Sequence, residues 1–374
     1  MEFASVVPAC LAWPLQLEPF PGVFLSPSRV GDPGAVRALA RPYVGEGSRL
    51  QAWRRDGLLT LDSVPGLHVY EYVTGGLTIR GLIGALDLTR LTAADEPPAL
   101  WPHERVHTDQ VEDLARRMAA IGINPAPILL SVSAPDGLRT LLYVITERAP
   151  DHAFTDRTGQ THRIWSVTDL ADLAQLQDCV AHSEALLADG HHRYAAYLAL
   201  RDAHPDGTWD HGLAMLVDQA DTPFFLGPIH RVVHGVTLDD LVRAAHAAGA
   251  QTISGDRQAM LDQLSPGAIV LTDGSQWLTV TPPTAQDALV VEWLHSELLA
   301  RLGDVDLSHH HTLESALKAT GALDAALVLP APSLQAVTAL TRAGHLLPEK
   351  ATSFQPKPTV GAIMRNVTAD RPCS

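Results

Sequence analysis

The sequence is short of cysteine, of long apolar runs and of positive charge, and each shortage closes off a class of protein. Cys10, Cys179 and Cys373 are three cysteines with no CxxC pair. Such a set argues against a disulfide framework and against a zinc-finger ligand set. No apolar stretch approaches the roughly 20 residues of a membrane-spanning helix, and the run from Leu323 ends in prolines at Pro330 and Pro332. Residues 1–10 carry no basic segment, and Pro8, Pro14, Pro19 and Pro21 interrupt the apolar stretch that follows, so a secretory signal is not expected. The expectation is a cytoplasmic protein that avoids the membrane. Lys and Arg number 27 against 42 Asp and Glu, a net charge of −15, which leaves no global field to attract a nucleic acid. The sequence also lacks a GxxxxGK phosphate loop, a GxGxxG dinucleotide turn and a nucleophile elbow, so P-loop, Rossmann and covalent serine-hydrolase chemistry drop out.

What remains is a globular composition, 46% hydrophobic with 27 Gly and 27 Pro, long enough for two or three packed modules. Residues 1–97 are expected to form an N-terminal α/β region, 98–235 a core with an insertion at about 133–183, and 236–374 a C-terminal α/β domain. Alternation over 67–73 and the run 77–86 predict two strands joined across Gly75-Gly76. Helical spacing through Val111, Leu114, Met118 and Ile121 predicts a helix over 109–121 with Thr108 as its N-cap. Residues 127–132 and 141–145 read as buried strands, 149–160 as a loop and 167–183 as a helix. A short strand at 186–188 then feeds, through Asp189-Gly190, a helix over about 192–202. Further on, the pattern predicts strands at 213–218, 268–272, 276–281 and 325–329 and helices at 238–248, 288–302 and 333–343.

The segment Asp189-Gly190-His191-His192-Arg193 is the densest chemistry in the chain. A strand that enters a helix through Asp-Gly aims backbone N–H groups and the positive end of the helix dipole at whatever lies above the turn. Arg193 adds a planar fork suited to phosphate oxygens, and His191 and His192 can donate hydrogen bonds or move protons. Glu104, in Pro102-His103-Glu104-Arg105, reads by itself as an acid at a helix entry. Together with Asp189 it would supply the two carboxylates of a phosphoryl transfer. His309-His310-His311 has no metal-ligand spacing and reads as a solvated helix entry. His230-Arg231 and the stretch from Lys350 to Lys357 are weaker sources of cations for a phosphate.

Several blocks, in order, resemble a widespread bacterial family known only as a domain of unknown function, DUF1015. They are Pro102-His103-Glu104-Arg105, Asn124-Pro125-Ala126-Pro127-Ile128, the run 162–167, the run Ala188 to Tyr194, Ile229-His230-Arg231 and the run 347–357. The middle of the chain is also similar to the ParB/sulfiredoxin superfamily, above all its free-serine kinases. That likeness implies an α/β (α+β) fold with a ParB/sulfiredoxin-like core and a nucleotide-dependent kinase acting on serine or a similar small hydroxy metabolite. It further implies Glu104 as the base, with Asp189 and His191 in catalysis. Gly190, His191, His192, Arg193, His103 and Arg105 would bind ATP or ADP (or CTP), and Mg²⁺ would sit at Asp189 through the phosphates. A homodimer is compatible with the added terminal regions. Two other functions share the same turn: a nucleotide-binding regulatory protein and a phosphate-ester hydrolase.

Overall fold

Gly75 and Gly76 both take positive φ, 56° and 79°, the geometry a two-residue hairpin between right-twisted strands requires. They join β1 (Leu67–Thr74) to β2 (Leu77–Asp87), as the alternation predicts. The computed structural model describes residues 5–40, 46–93, 96–283, 289–348 and 350–367, which separate into two compact units, one drawn from 1–102, 106–224 and 356–374 and the other from 103–105 and 225–355.

In the first unit α1 (Thr108–Ile121) leads to β3 (Ile128–Ser133), followed by α2 (Asp136–Thr146), β4 (Thr161–Val167), α3 (Leu170–Ala181), β5 (Glu184–Asp189), α4 (His191–Ala203) and β6 (His211–Asp218). Among the described residues these strands build a ten-stranded mixed sheet. Its order is His152–Thr155, β4, β1, β2, β6, β3, β5, Pro98–Trp101 and Leu11–Ala12, with Leu17–Glu18 on β2. The strand β3 runs parallel to β6 and antiparallel to β5, in a register that sets Leu129 beside Asp189. Leu130, Leu187, Ala196 and Leu216 are buried in one apolar cluster, and at about 25 cal/mol per Å² such burial is the main force holding the helices to the sheet.

The second unit contains β7 (His230–His234), α5 (Leu238–Ala247), β8 (Gln251–Gly255), β9 (Ile269–Thr272), β10 (Trp277–Thr281), β11 (Asp306–His310), α6 (Leu313–Ala319), β12 (Ala325–Val328) and α7 (Leu334–Arg342). Its six-stranded sheet runs β8-β10-β9-β12-β7-β11. Thr237 and Asp240 form a reciprocal capping box at the start of α5, which satisfies two amide donors that the helix start would otherwise leave open.

Five local expectations fail. Residues 141–145 are not a strand but the end of α2, because Leu138, Leu142 and Ile145 turn inward at helical spacing while Tyr143 and Val144 face out; the β-branched content of the run misleads. Thr108 is the first residue of α1 and not its cap: His107 takes that place with no side-chain cap bond, its residue being paired as a strand with Ser5. The 149–160 loop contains a strand, His152–Thr155. His309 and His310 lie on β11 and not in a helix entry. The helix expected over 288–302 is regular only at Val290–Trp293, with wider and tighter turns at Leu294–Leu298 and Leu299–Leu302; Ala288 lies outside the described residues.

Candidate functional site

Strand β5 ends at Asp189, and Gly190 turns the chain with φ of 94°, a conformation that favours glycine. A Cβ there would come within 2.9 Å of both the Arg193 guanidinium and Ile128, so the residue is fixed by its backbone and by its neighbours. Gly190 is also the N-cap of α4, and no side chain caps that helix start. Arg193, one turn in, folds back. It donates through Nη1 to the carbonyls of Ala126 (3.2 Å) and Pro127 (2.6 Å) and through Nη2 to Asp189 Oδ2 (2.7 Å). Lys357 Nζ reaches the other oxygen, Oδ1, at 2.5 Å. Burial pushes the Asp189 carboxyl up, but Arg193 and Lys357 outweigh it and hold the group below the ordinary carboxylate range. A carboxylate with two cations on separate oxygens is therefore ionised.

These three side chains form the polar end of a cavity of about 200 Å³. Its remaining wall is apolar: Leu114 and Met118 of α1, Leu129 of β3, Pro125, Pro127 and Val360. Arg117, which pairs with Asp113, adds a third cation to the lining. A flat apolar group carrying an anion matches such a cavity, with the ring against the aliphatic wall and the charge at the cations.

The segment that brings Lys357 to the cavity is fastened on both sides. Tyr72 Oη donates to the Pro356 carbonyl (2.7 Å) and Gln160 Nε2 to the Lys357 carbonyl (3.1 Å). Thr359 donates its amide to Gln160 Oε1 (3.1 Å) and its hydroxyl to Asp156 Oδ2 (2.6 Å). Burial raises the Asp156 carboxyl, while bonds from Thr359, Thr158, His162 and the Gln160 amide bring it down to about 2. Burial lowers His162, so its Nε2–H donates to Asp156 (3.1 Å) and its Nδ1 accepts from Tyr70 Oη (2.8 Å).

In the second unit Glu104 is 9% exposed. Its Oε1 accepts the amide and the hydroxyl of Thr352 at 3.1 and 2.8 Å. That hydroxyl is spent on Glu104, so His103 Nε2, 2.8 Å away, donates to it. Arg231 is fully buried and donates to the Ile229 and Lys350 carbonyls; burial lowers it to about 10, with Glu104 opposing the shift. The β7–β11 register sets His230 beside His310 and Arg231 beside His309, so two weak sequence signals are neighbours on one sheet.

Asp189 and Arg193 thus meet at one cavity, with Gly190 the turn between them and not a lining residue, while His103, Glu104 and Arg105 belong to the other compact unit. His191 is buried, and His192 Nε2 accepts the His107 amide at 3.2 Å; neither lines the cavity. Sequence reasoning gave Lys357 little weight and missed Arg117, Asp156, Gln160 and Thr359. A lysine between Pro356 and Pro358 was the available signal for Lys357, since both prolines restrict the backbone that carries it.

The structure defines an α+β protein in which three cations, one carboxylate and an aliphatic wall line one cavity beside a helix start. The chain belongs to the family described as "Protein of unknown function (DUF1015)", whose profile matches residues 31–304, the family that its sequence blocks resemble. No functionally curated protein matches it. Solved structures similar to it include a conserved hypothetical protein from Pyrococcus furiosus, 17% identical over 72% of this chain and 93% of the other, with a TM-score of 0.42. A free serine kinase variant in complex with AMP is 16% identical over 70% and 88%, at 0.41. SbnI from Staphylococcus aureus, truncated at its C-terminus, is 12% identical over 78% and 90%, at 0.44. Among the described residues no helix is long and apolar enough to cross a membrane, and no group of three or more His, Cys, Asp or Glu is placed to hold a metal ion.

Proposed function

We propose that this protein is a nucleotide-dependent phosphotransferase of the cytoplasm, a kinase that transfers a phosphoryl group from ATP or ADP, or CTP, to the hydroxyl of serine or a similar small metabolite. The observation that carries the reading is the shared carboxylate: Arg193 and Lys357 converge on Asp189 at the polar end of an otherwise aliphatic cavity. An entering phosphate offers both cations more negative charge than Asp189 does and adds the α4 dipole, so the two cations exchange one acceptor for another. The aliphatic wall takes the base. Charge that builds on the transferred group is then stabilised by groups already in position, which is the larger part of catalysis in this reaction class.

Glu104 is assigned as the base that takes the acceptor's hydroxyl proton as the new P–O bond forms and the nucleotide leaves. The likeness of the 102–105 block to the free-serine kinases supports this role, and Thr352 fixes the orientation of its carboxylate. His103 bonds the same Thr352 hydroxyl and is assigned to orientation. Asp189 is the carboxylate among the lining residues of the cavity, which fits a magnesium ion bound chiefly through phosphate oxygens and water. Such an ion would neutralise phosphate charge. His191, His192 and Arg105 remain candidates for contacts to the nucleotide.

The test incubates the protein with ATP, ADP or CTP, Mg²⁺ and a panel of small hydroxy metabolites, and follows phosphorylated products by mass spectrometry. Product that disappears in Glu104→Gln, with nucleotide binding retained, is the expected result. Undiminished transfer in that variant removes the base assignment, and nucleotide-dependent thermal stabilisation without any product favours the regulatory alternative.

A further inference from the structure

The buried network centred on Asp156 lies outside the cavity, yet through Gln160 and Thr359 it reaches the segment that carries Lys357. We infer that Asp156, Gln160 and Thr359 are positioning residues that aim the Lys357 ammonium at the phosphate of a bound nucleotide and so set the protein's preference for phosphorylated ligands over the bare nucleoside. The inference rests on the proposed nucleotide reading of the cavity and adds to it the device that makes the cation effective.

Lysine has a flexible four-carbon stem, and about 2 kcal/mol of rotamer entropy opposes holding its charge at one point. Lys357 is itself exposed, so packing around the side chain does not supply the order. The backbone does. Tyr72 and Gln160 take the carbonyls of Pro356 and Lys357, and Thr359 ties the chain two residues later to Asp156 and Gln160. Asp156 and Gln160 are buried, and Asp156 Oδ1 accepts three further bonds from Thr158 and the Gln160 amide. His162 holds Oδ2 from the other side. The fixed end of this chain of bonds is the sheet itself, since His162 sits on β4 and Tyr70 on β1. A segment fastened at Pro356, Lys357 and Thr359 fixes the lysine's Cα and leaves only the stem to settle on Asp189.

The chain has three lysines, Lys318, Lys350 and Lys357, so ¹³C reductive methylation gives few signals to assign. In the ligand-free protein the Lys357 methyl signal is expected to be distinct, and in Thr359→Val to move toward that of the exposed Lys318, while Thr359→Ser, which keeps the hydroxyl, leaves it in place. By calorimetry Thr359→Val is expected to weaken ADP binding about tenfold, one charge-assisted hydrogen bond's worth, with adenosine binding unchanged and Thr359→Ser near wild type. Lys357→Met should match Thr359→Val for ADP, and the double variant should lose little more. The inference is overturned if the Lys357 signal is the same in Thr359→Val, or if ADP and adenosine weaken together. A wild-type protein that binds neither ligand, yet shows the expected methyl shift in Thr359→Val, sinks the nucleotide reading and leaves the positioning role standing.

Discussion

Arg193 is partly exposed at a cavity and Arg231 is fully buried, and the two are held differently. Arg193 shares Asp189 with Lys357 at the edge of a cavity and spends its other donors on the Ala126 and Pro127 carbonyls. Arg231 has no accessible surface and fastens two backbone carbonyls, those of Ile229 and Lys350. One arginine has an anionic partner that a ligand can replace; the other is locked to neutral oxygens. A buried guanidinium alone therefore does not mark a ligand site, whereas a guanidinium whose acceptor is exchangeable at a cavity does.

Substituting the two arginines is the strongest way to break this comparison. Arg193→Met leaves Asp189 with only Lys357 and is expected to cost about 3–5 kcal/mol of stability and to reduce nucleotide affinity by about a hundredfold or more. Arg231→Met leaves the Ile229 and Lys350 carbonyls without their guanidinium donor and should cost about 2–4 kcal/mol while ADP affinity stays within about twofold. Denaturant melts and calorimetry on the two proteins check both; equal loss of affinity in both would erase the distinction.

Acid should separate the units next. Burial lowers His68 in the first unit, and His230 and His295 in the second, to about 4. These groups are neutral in the fold but charge at the ordinary value of about 6.5 when unfolded. Their contribution is complete above that value and is lost as pH falls from about 6.5 to 4, at up to about 3 kcal/mol each. Holding two of the three, the second unit should lose more, and hydrogen exchange at pH 7 and pH 5 should show α5 and β9 opening before β1 and β4. Asp156 works in the same direction at lower pH: its carboxyl is held at about 2, so its contribution is present above its ordinary value and fades as pH drops toward 2.

Smaller effects sharpen the contrast. Gly190→Ala meets both a positive φ and contacts at 2.9 Å, and is expected to cost about 1–3 kcal/mol with a clear loss of ADP affinity. Ser333→Ala removes the cap at the start of α7 and should cost about 1 kcal/mol with no change in affinity.

Features that depend on adjacent residues were legible in the sequence. Gly75-Gly76 and Asp189-Gly190 state their turns locally, and the helical spacing of α1 and α5 stands out because each has one apolar face. What escaped depends on partners far along the chain. His230-Arg231 and His309-His310 are separated by almost eighty residues, and only the β7–β11 register makes them neighbours. Thr359 reaches Asp156 and Gln160 across about two hundred. No periodicity encodes such pairings. Residues 141–145 failed for the opposite reason: the local signal was strong and wrong, since packing of Leu138, Leu142 and Ile145 overrides β propensity.

The most direct measurement follows backbone amide shifts in the ¹⁵N-labelled protein as ADP, or adenosine, is added. With ADP the amides of Gly190, His191, His192 and Arg193 should move together with that of Lys357, and with adenosine the changes should be confined to residues along the aliphatic wall such as Leu114 and Met118. ADP binding that leaves residues 190–193 unmoved would contradict a phosphate site at this helix start.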